Sequence, residues 1–231
     1  RIGEYLPEDP ILREMMEKSY EILFLHPLNE ERRKKGLKPA NSAWFWGAGR
    51  KPSLTSFEER TKKRGVMISA VDLLKGIAVG SGMDRILVEG ANGGLHTNYE
   101  GKAHVAVEAL TRKGYDFAYI HVEAPDEMGH QGIIKDKIAA IEYVDEKVLG
   151  VVVKGLEEAG EDFRILLLPD HPTPIEARTH TSEPVPYLLY DSTRRMEGAA
   201  SYDEETAAAS GRNWPEGYKL IGHLLQEELC W

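Results

Sequence analysis

Apolar positions recur at helical spacing along the first part of the chain, and from Gly65 onward they gather into short runs separated by amphipathic stretches. Ile11, Leu12, Met15, Met16, Ile22, Leu23 and Leu25, following an acidic, proline-bearing start, predict an amphipathic helix over residues 10–25. Residues 29–36 read as a charged helical turn with a solvated face, ended by Gly36. The aromatic run at 42–47 predicts a short strand, and the glycine- and proline-bearing stretch 47–52 a linker between two units.

Strands and helices then alternate. Apolar runs at 66–70, 86–88, 116–122, 164–168 and 185–190 predict strands, and the run at 164–168 has the continuous apolar character of a strand buried on both faces. Between them, Asp72 is placed to cap a helix reaching about Val79, Asn98 to begin one ending at Lys113, and residues 135–158 to form a long helix. That long helix is expected to bury Ile138, Ile141, Val144, Val148 and Val152. A last helix is expected over 217–229. The pattern is that of an α/β fold, a mostly parallel sheet with helices on both faces.

Composition narrows the function classes. With 42% hydrophobic and 29% charged residues in 231, disorder is excluded, and a net charge of −9 speaks against a nucleic-acid partner. A lone cysteine, Cys230, leaves no disulfide framework, so a reducing, cytoplasmic compartment is expected. No apolar run approaches the 18 residues of a membrane span, and none has the form of a signal peptide.

In sheets of this kind the chemistry lies in loops at the carboxyl ends of strands. After Val122 comes Glu-Ala-Pro-Asp126-Glu-Met-Gly-His130, and four-residue spacing puts Asp126 and His130 on one side of a helical turn, as a divalent metal requires. After Leu168 comes Pro-Asp170-His171, whose adjacent side chains are expected to diverge and so to face different ions. A third histidine, His180, precedes the next strand. Taken singly each pair has a plain structural alternative, Asp126 as a turn cap for example; together they make a mixed oxygen and nitrogen donor set suited to zinc or manganese. His121 is read as a strand residue, and His26, His96, His104 and His223 as surface or packing residues.

These residues carry a family resemblance. The run 115–132, the Pro169-Asp170-His171 turn and the segment from His180 to Pro186 resemble the metal-binding motifs of cofactor-independent phosphoglycerate mutases, members of the alkaline phosphatase superfamily. Trp44-Phe-Trp-Gly47, the stretch from Gly65 through Lys75 to Ile77, and Thr97-Asn-Tyr-Glu-Gly-Lys102 are similar to the archaeal-type branch. The resemblance implies an alkaline-phosphatase-like core and an isomerase of glycolysis, in which a serine takes the phosphoryl group of 3-phosphoglycerate and returns it to the neighbouring hydroxyl. It implies two divalent ions (manganese, zinc or magnesium) and no organic cofactor. One ion is held by Asp126, His130 and His180, the other by Asp170 and His171 with an aspartate and the serine from an N-terminal strand and loop. The substrate is a small phosphorylated hydroxy acid, and Lys75 falls near a phosphate-contacting lysine or is a helix-surface lysine.

The N-terminal strand and serine loop of that family have no counterpart here. None of Ser19, Ser42, Ser53, Ser56, Ser69 or Ser81 sits in a strand-to-helix elbow, and the chain opens at Arg1 rather than at a methionine. Charge agrees, since two divalent ions outweigh the two carboxylates Asp126 and Asp170. The serine nucleophile is therefore expected upstream of Arg1, in a missing N-terminal part of the same protein, and this chain alone is expected to be inactive. Residues 1–64 are then the end of an inserted substrate-closing domain plus linker, and 65–231 the C-terminal part of the metal-binding core. The alternatives are another phosphotransferase or phosphohydrolase of the superfamily, and a metal-binding module without catalysis.

Overall fold

The computed structural model describes residues 2–45, 47, 49–194 and 198–225, arranged as two compact units, Arg1–Pro52 and Ser53–Trp231. The division falls at the end of the predicted linker, and residues 53–64, expected to belong with the first segment, fall in the second unit.

In the first unit, helix α1 (Pro10–Phe24) starts where Asp9 accepts hydrogen bonds from the Ile11 and Leu12 amides and Pro10 presets the first turn. Its apolar positions do not form one buried face. Met16 is buried, whereas Ile11, Ile22 and Leu25 are exposed, because a unit this short cannot cover a helix on several sides. Helix α2 (Pro27–Lys34) carries the expected charges, but Asn29 within it is buried, bonded to Leu23 O at 2.7 Å and to both backbone groups of Ala40 at 2.8 Å. The described residues of the aromatic run 42–47 form no strand.

The second unit opens with α3 (Phe57–Thr61), then β1 (Gly65–Ile68), α4 (Asp72–Gly80), β2 (Asp84–Ile86), α5 (Tyr99–Arg112) and β3 (Phe117–Ile120). The three strands are parallel in the order β2-β1-β3, with Val66 opposite Asp84 and Gly65 opposite Phe117. Central β1 is buried at every position, which its unbroken apolar run requires. Asp72 does not cap α4. Val71 holds the cap position and Asp72 is the first helical residue, its carboxylate paired with Lys75 one turn on.

Helix α6 (Ala124–Gln131) follows β3, and the predicted long helix runs as α7 (Ile134–Val144), a π turn (Asp145–Leu149) and α8 (Gly150–Ala159). Ala140, Val148, Val152 and Leu156 are buried, but Ile138 and Ile141 are each 52% exposed, contrary to expectation. Residues four apart drift by about 40° per step around a 3.6-residue helix, and the π turn absorbs that drift to keep one face inward. The stripe through Ile138 and Ile141 lies off that face. Buried Ala103, Ala106 and Ala109 on α5 are small enough for α8 to approach closely, and a Cβ on Gly155 would come within 2.9 Å of Val107.

Strands β4 (Arg164–Leu167) and β5 (Leu188–Asp191) pair antiparallel, Leu167 opposite Leu188, as a ladder separate from the parallel sheet. β4 is half-buried throughout rather than covered on both faces. Helix α9 (Glu204–Ala209) and α10 (Leu220–Leu225) complete the described chain, so the final part of the helix expected to reach 229, with Cys230 beyond it, lies outside the described residues.

Candidate metal centre

The centre is built from two loops at strand ends. β3 stops at Ile120, and three residues later α6 begins with Pro125 in its first turn, which presets φ, and Asp126 beside it, where the helix amides favour a carboxylate. His130 follows one turn on. The second loop leaves β4, carries Asp170, His171, Thr173, Arg178 and His180, and returns to β5.

The predicted side chains meet. Asp126 Oδ2 lies 3.3 Å from His130 Nε2, and its Oδ1 lies 3.3 Å from His180 Nε2 and 4.0 Å from His171 Nδ1. His130 Nε2 and His180 Nε2 stand 3.1 Å apart. Ligand atoms of Asp126, His171 and His180 all lie within 4.8 Å of one another. Asp170 and His171 do not diverge as expected: His171 Nε2 is 3.4 Å from Asp170 Oδ2, and the His171 amide donates to Asp170 Oδ1. Lys75 stands apart in role, its ammonium engaged by Asp72 at 2.7 Å.

The donor chemistry fits a divalent cation. His130 Nδ1 is 3.0 Å from the Arg178 carbonyl, which can only accept, so Nδ1 carries the hydrogen and Nε2 is the nitrogen turned toward the site. That nitrogen faces a carboxylate oxygen and a second imidazole nitrogen, three donor atoms that either a shared hydrogen on His180 Nε2 or a cation among them can hold together. Ligand atoms about a tetrahedral ion with bonds of 2.0–2.1 Å stand roughly 3.3 Å apart, close to the spacings found here. Arg178, whose carbonyl orients His130, adopts φ +51°, a left-handed conformation held where His130 needs it.

Several neighbours escaped the sequence reading. Thr173, only 4% exposed, donates its hydroxyl to Asp126 Oδ1, and Lys137 Nζ donates to the Thr173 carbonyl at 2.5 Å. Gly129 makes this approach feasible, since a Cβ there would sit 2.5 Å from Thr173 O and 2.9 Å from its Cγ2. Gly129→Ala is therefore expected to cost about 1–3 kcal/mol, read as a lowered melting temperature. An unchanged melt would mean that the loop yields at no cost.

Deeper in, Lys102 on α5 is fully buried, with Nζ 3.0 Å from the His121 carbonyl. Burial holds its ammonium below the ordinary value, opposed by the charge of Glu123. His121 is likewise lowered by burial and is therefore neutral, its Nδ1 3.2 Å from Ser69 Oγ. Glu123 is raised by burial and by the neighbouring Glu127 and Asp126. The available signal for Lys102 was its place on the alanine-bearing face of α5, where a solvated lysine is out of pattern.

Comparisons with known proteins cover the same stretch of chain. The profile of the Metalloenzyme superfamily matches residues 8–212. A Methanosarcina barkeri protein named 2,3-bisphosphoglycerate-independent phosphoglycerate mutase is 45% identical over 230 residues, 98% of this chain and 57% of that protein. A Geobacter sulfurreducens protein named a probable enzyme of that kind is 46% identical over 228 residues, 97% of this chain and 56% of its own. Among solved structures, a Pyrococcus horikoshii protein matches with a TM-score of 0.72 at 37% identity, over 86% of this chain and 51% of the other. The cofactor-independent phosphoglycerate mutase of Thermoplasma acidophilum matches with a TM-score of 0.55 at 25% identity, over 95% of this chain and 54% of the other. The chain spans about half the length of the relatives it matches.

Proposed function

Because this chain belongs to the Metalloenzyme superfamily, we propose that it is the metal-binding part of a cofactor-independent phosphoglycerate mutase that interconverts 3-phosphoglycerate and 2-phosphoglycerate. The observation that carries this reading is the convergence of Asp126, His130, His171 and His180 on one centre, with Asp170 against His171. In it, Asp126, His130 and His180 hold one divalent ion, and Asp170 and His171 contribute to a second. Bound there, the ions supply positive charge to phosphoryl oxygens and to an attacking alkoxide.

The chain's own residues do the rest. Arg178 keeps His130 in the ligating tautomer through its carbonyl. Lys102, buried with its Nζ on the His121 carbonyl and electrostatically coupled to Glu123, is read as the group that offsets the carboxylates Glu123 and Asp126 where they would otherwise repel a phosphorylated acid. His121 stays neutral beneath, so it adds no competing cation. Lys75 remains a candidate for a more distant phosphate contact. The serine that carries the phosphoryl group between the two hydroxyls belongs to a segment upstream of Arg1, in keeping with the share of its relatives that the chain spans. Residues 1–64 are read as the end of the domain that closes over substrate plus its linker, and 65–231 as the metal-bearing core; the break between the compact units at Pro52 falls within the first of these segments. Manganese and a cytoplasmic setting suit a mixed donor set and a lone cysteine. No helix among the described residues is long and apolar enough to cross a membrane.

The test is an assay of the full-length protein, upstream segment included, with 3-phosphoglycerate and with a panel of phosphate esters. Manganese-dependent formation of 2-phosphoglycerate is expected, and none from the 231-residue chain alone. Phosphate release from many esters without isomerisation would favour a phosphohydrolase of the superfamily, and metal binding with neither activity a non-catalytic module.

A further inference from the structure

Thr173 lies where the two predicted ligand sets meet. Its hydroxyl donates to Asp126 Oδ1, and the same oxygen is 3.4 Å from His171 Nδ1. A hydroxyl has one hydrogen, and a carboxylate can only accept, so the hydrogen goes to Asp126 and an oxygen lone pair is left for the imidazole. That lone pair favours the hydrogen on His171 Nδ1, which leaves Nε2 bare, and Nε2 is the nitrogen facing Asp170 Oδ2 at 3.4 Å. The bond to Asp126 Oδ1 also leaves Oδ2 free toward His130 Nε2.

Thr173 is held firmly enough to act this way. It is almost fully buried and is β-branched, so few rotamers are open to it. Pro172 and Pro174 flank it, fixing φ on either side and disfavouring a helical backbone at Thr173 itself. Its carbonyl accepts from Lys137 Nζ, and its backbone rests on the open face of Gly129.

We propose that Thr173 is a positioning residue that links the two metal half-sites, one hydroxyl setting both the oxygen that Asp126 offers and the nitrogen that His171 offers. This rests on the reading of the site as a two-ion centre. Lys137 anchors the backbone that carries the hydroxyl, and so acts on the ions through Thr173.

The test uses the full-length protein and manganese alone, followed by calorimetric titration and by electron paramagnetic resonance of free and bound Mn²⁺. Wild type should bind two ions. T173V, which keeps the shape and removes the hydroxyl, should weaken binding at both sites by about 10- to 100-fold, the range found for groups that orient metal ligands. T173S should restore most of the affinity, an outcome that a purely space-filling role for the side chain would not produce. Wild-type affinity at both sites in folded T173V would overturn the role of Thr173 while leaving the metal centre standing. Wild type that binds no manganese would overturn the reading beneath it. If T173V does not fold, K137M decides: weakened manganese binding supports the linkage, and unchanged binding overturns it.

Discussion

Asp126→Asn in the full-length protein is expected to weaken manganese binding by at least about 100-fold, beyond the loss usual for groups that only orient a ligand, and to take mutase activity below detection. Each Asp126 oxygen faces an imidazole nitrogen at 3.3 Å, and Oδ1 is also the oxygen within 4.0 Å of His171, so one carboxylate is the charge about which three histidines are arranged. Asparagine keeps the shape and one oxygen able to accept from Thr173, and removes the charge and the second ligating oxygen. The fold should therefore persist, with a metal-free melting temperature within about 2 °C of wild type. Titration calorimetry and a melt in chelator check both halves. Wild-type manganese stoichiometry in D126N would remove Asp126 from the ligand set, whereas collapse of the melt would make it a structural residue.

Lys102→Met separates binding from stability in the opposite way. Burial lowers the folded-state value of this lysine, so between that value and the ordinary one of about 10.4 the unfolded chain binds more protons than the folded chain. Stability contributed at this position therefore rises with pH through that window, and below it the buried charge is a cost to folding. Methionine removes the cost, and apolar replacement of a buried charge is commonly neutral or stabilising. K102M is expected to melt no lower than wild type at pH 7 and to lose the alkaline rise in stability. Its kcat/KM should fall by about 100-fold, as for loss of one charge-stabilising donor. Melts from pH 7 to 10 and steady-state assays with 3-phosphoglycerate check it. A lower melting temperature with unchanged kcat/KM would make Lys102 a packing residue.

Asp126 and His130 were legible in sequence because both belong to one helical turn, where spacing alone decides which side chains share a face. Asp170, His171 and His180 were legible as chemically costly residues at strand ends. Thr173 was not, because a threonine between prolines reads as a turn until the fold brings Asp126, 47 positions earlier in the chain, against its hydroxyl. The burial of Lys102 is not legible from local pattern because lysines on helices usually reach water, and only the packing around α5 closes it in. Ile138 and Ile141 read as core residues because an uninterrupted 3.6-residue repeat leaves no place for a π turn.

Local periodicity and residue chemistry thus determined most of the elements, the α/β class and the candidate metal ligands, since helix and strand pattern depend on neighbours within a few residues. Tertiary structure decided what depends on groups distant in sequence. It set the antiparallel pairing of β4 with β5, the approach of Asp170 to His171, and the hydroxyl that faces both halves of the metal centre. Hydrogen bonds and packing contacts act over a few ångströms of space, and only the folded chain determines which residues lie that close.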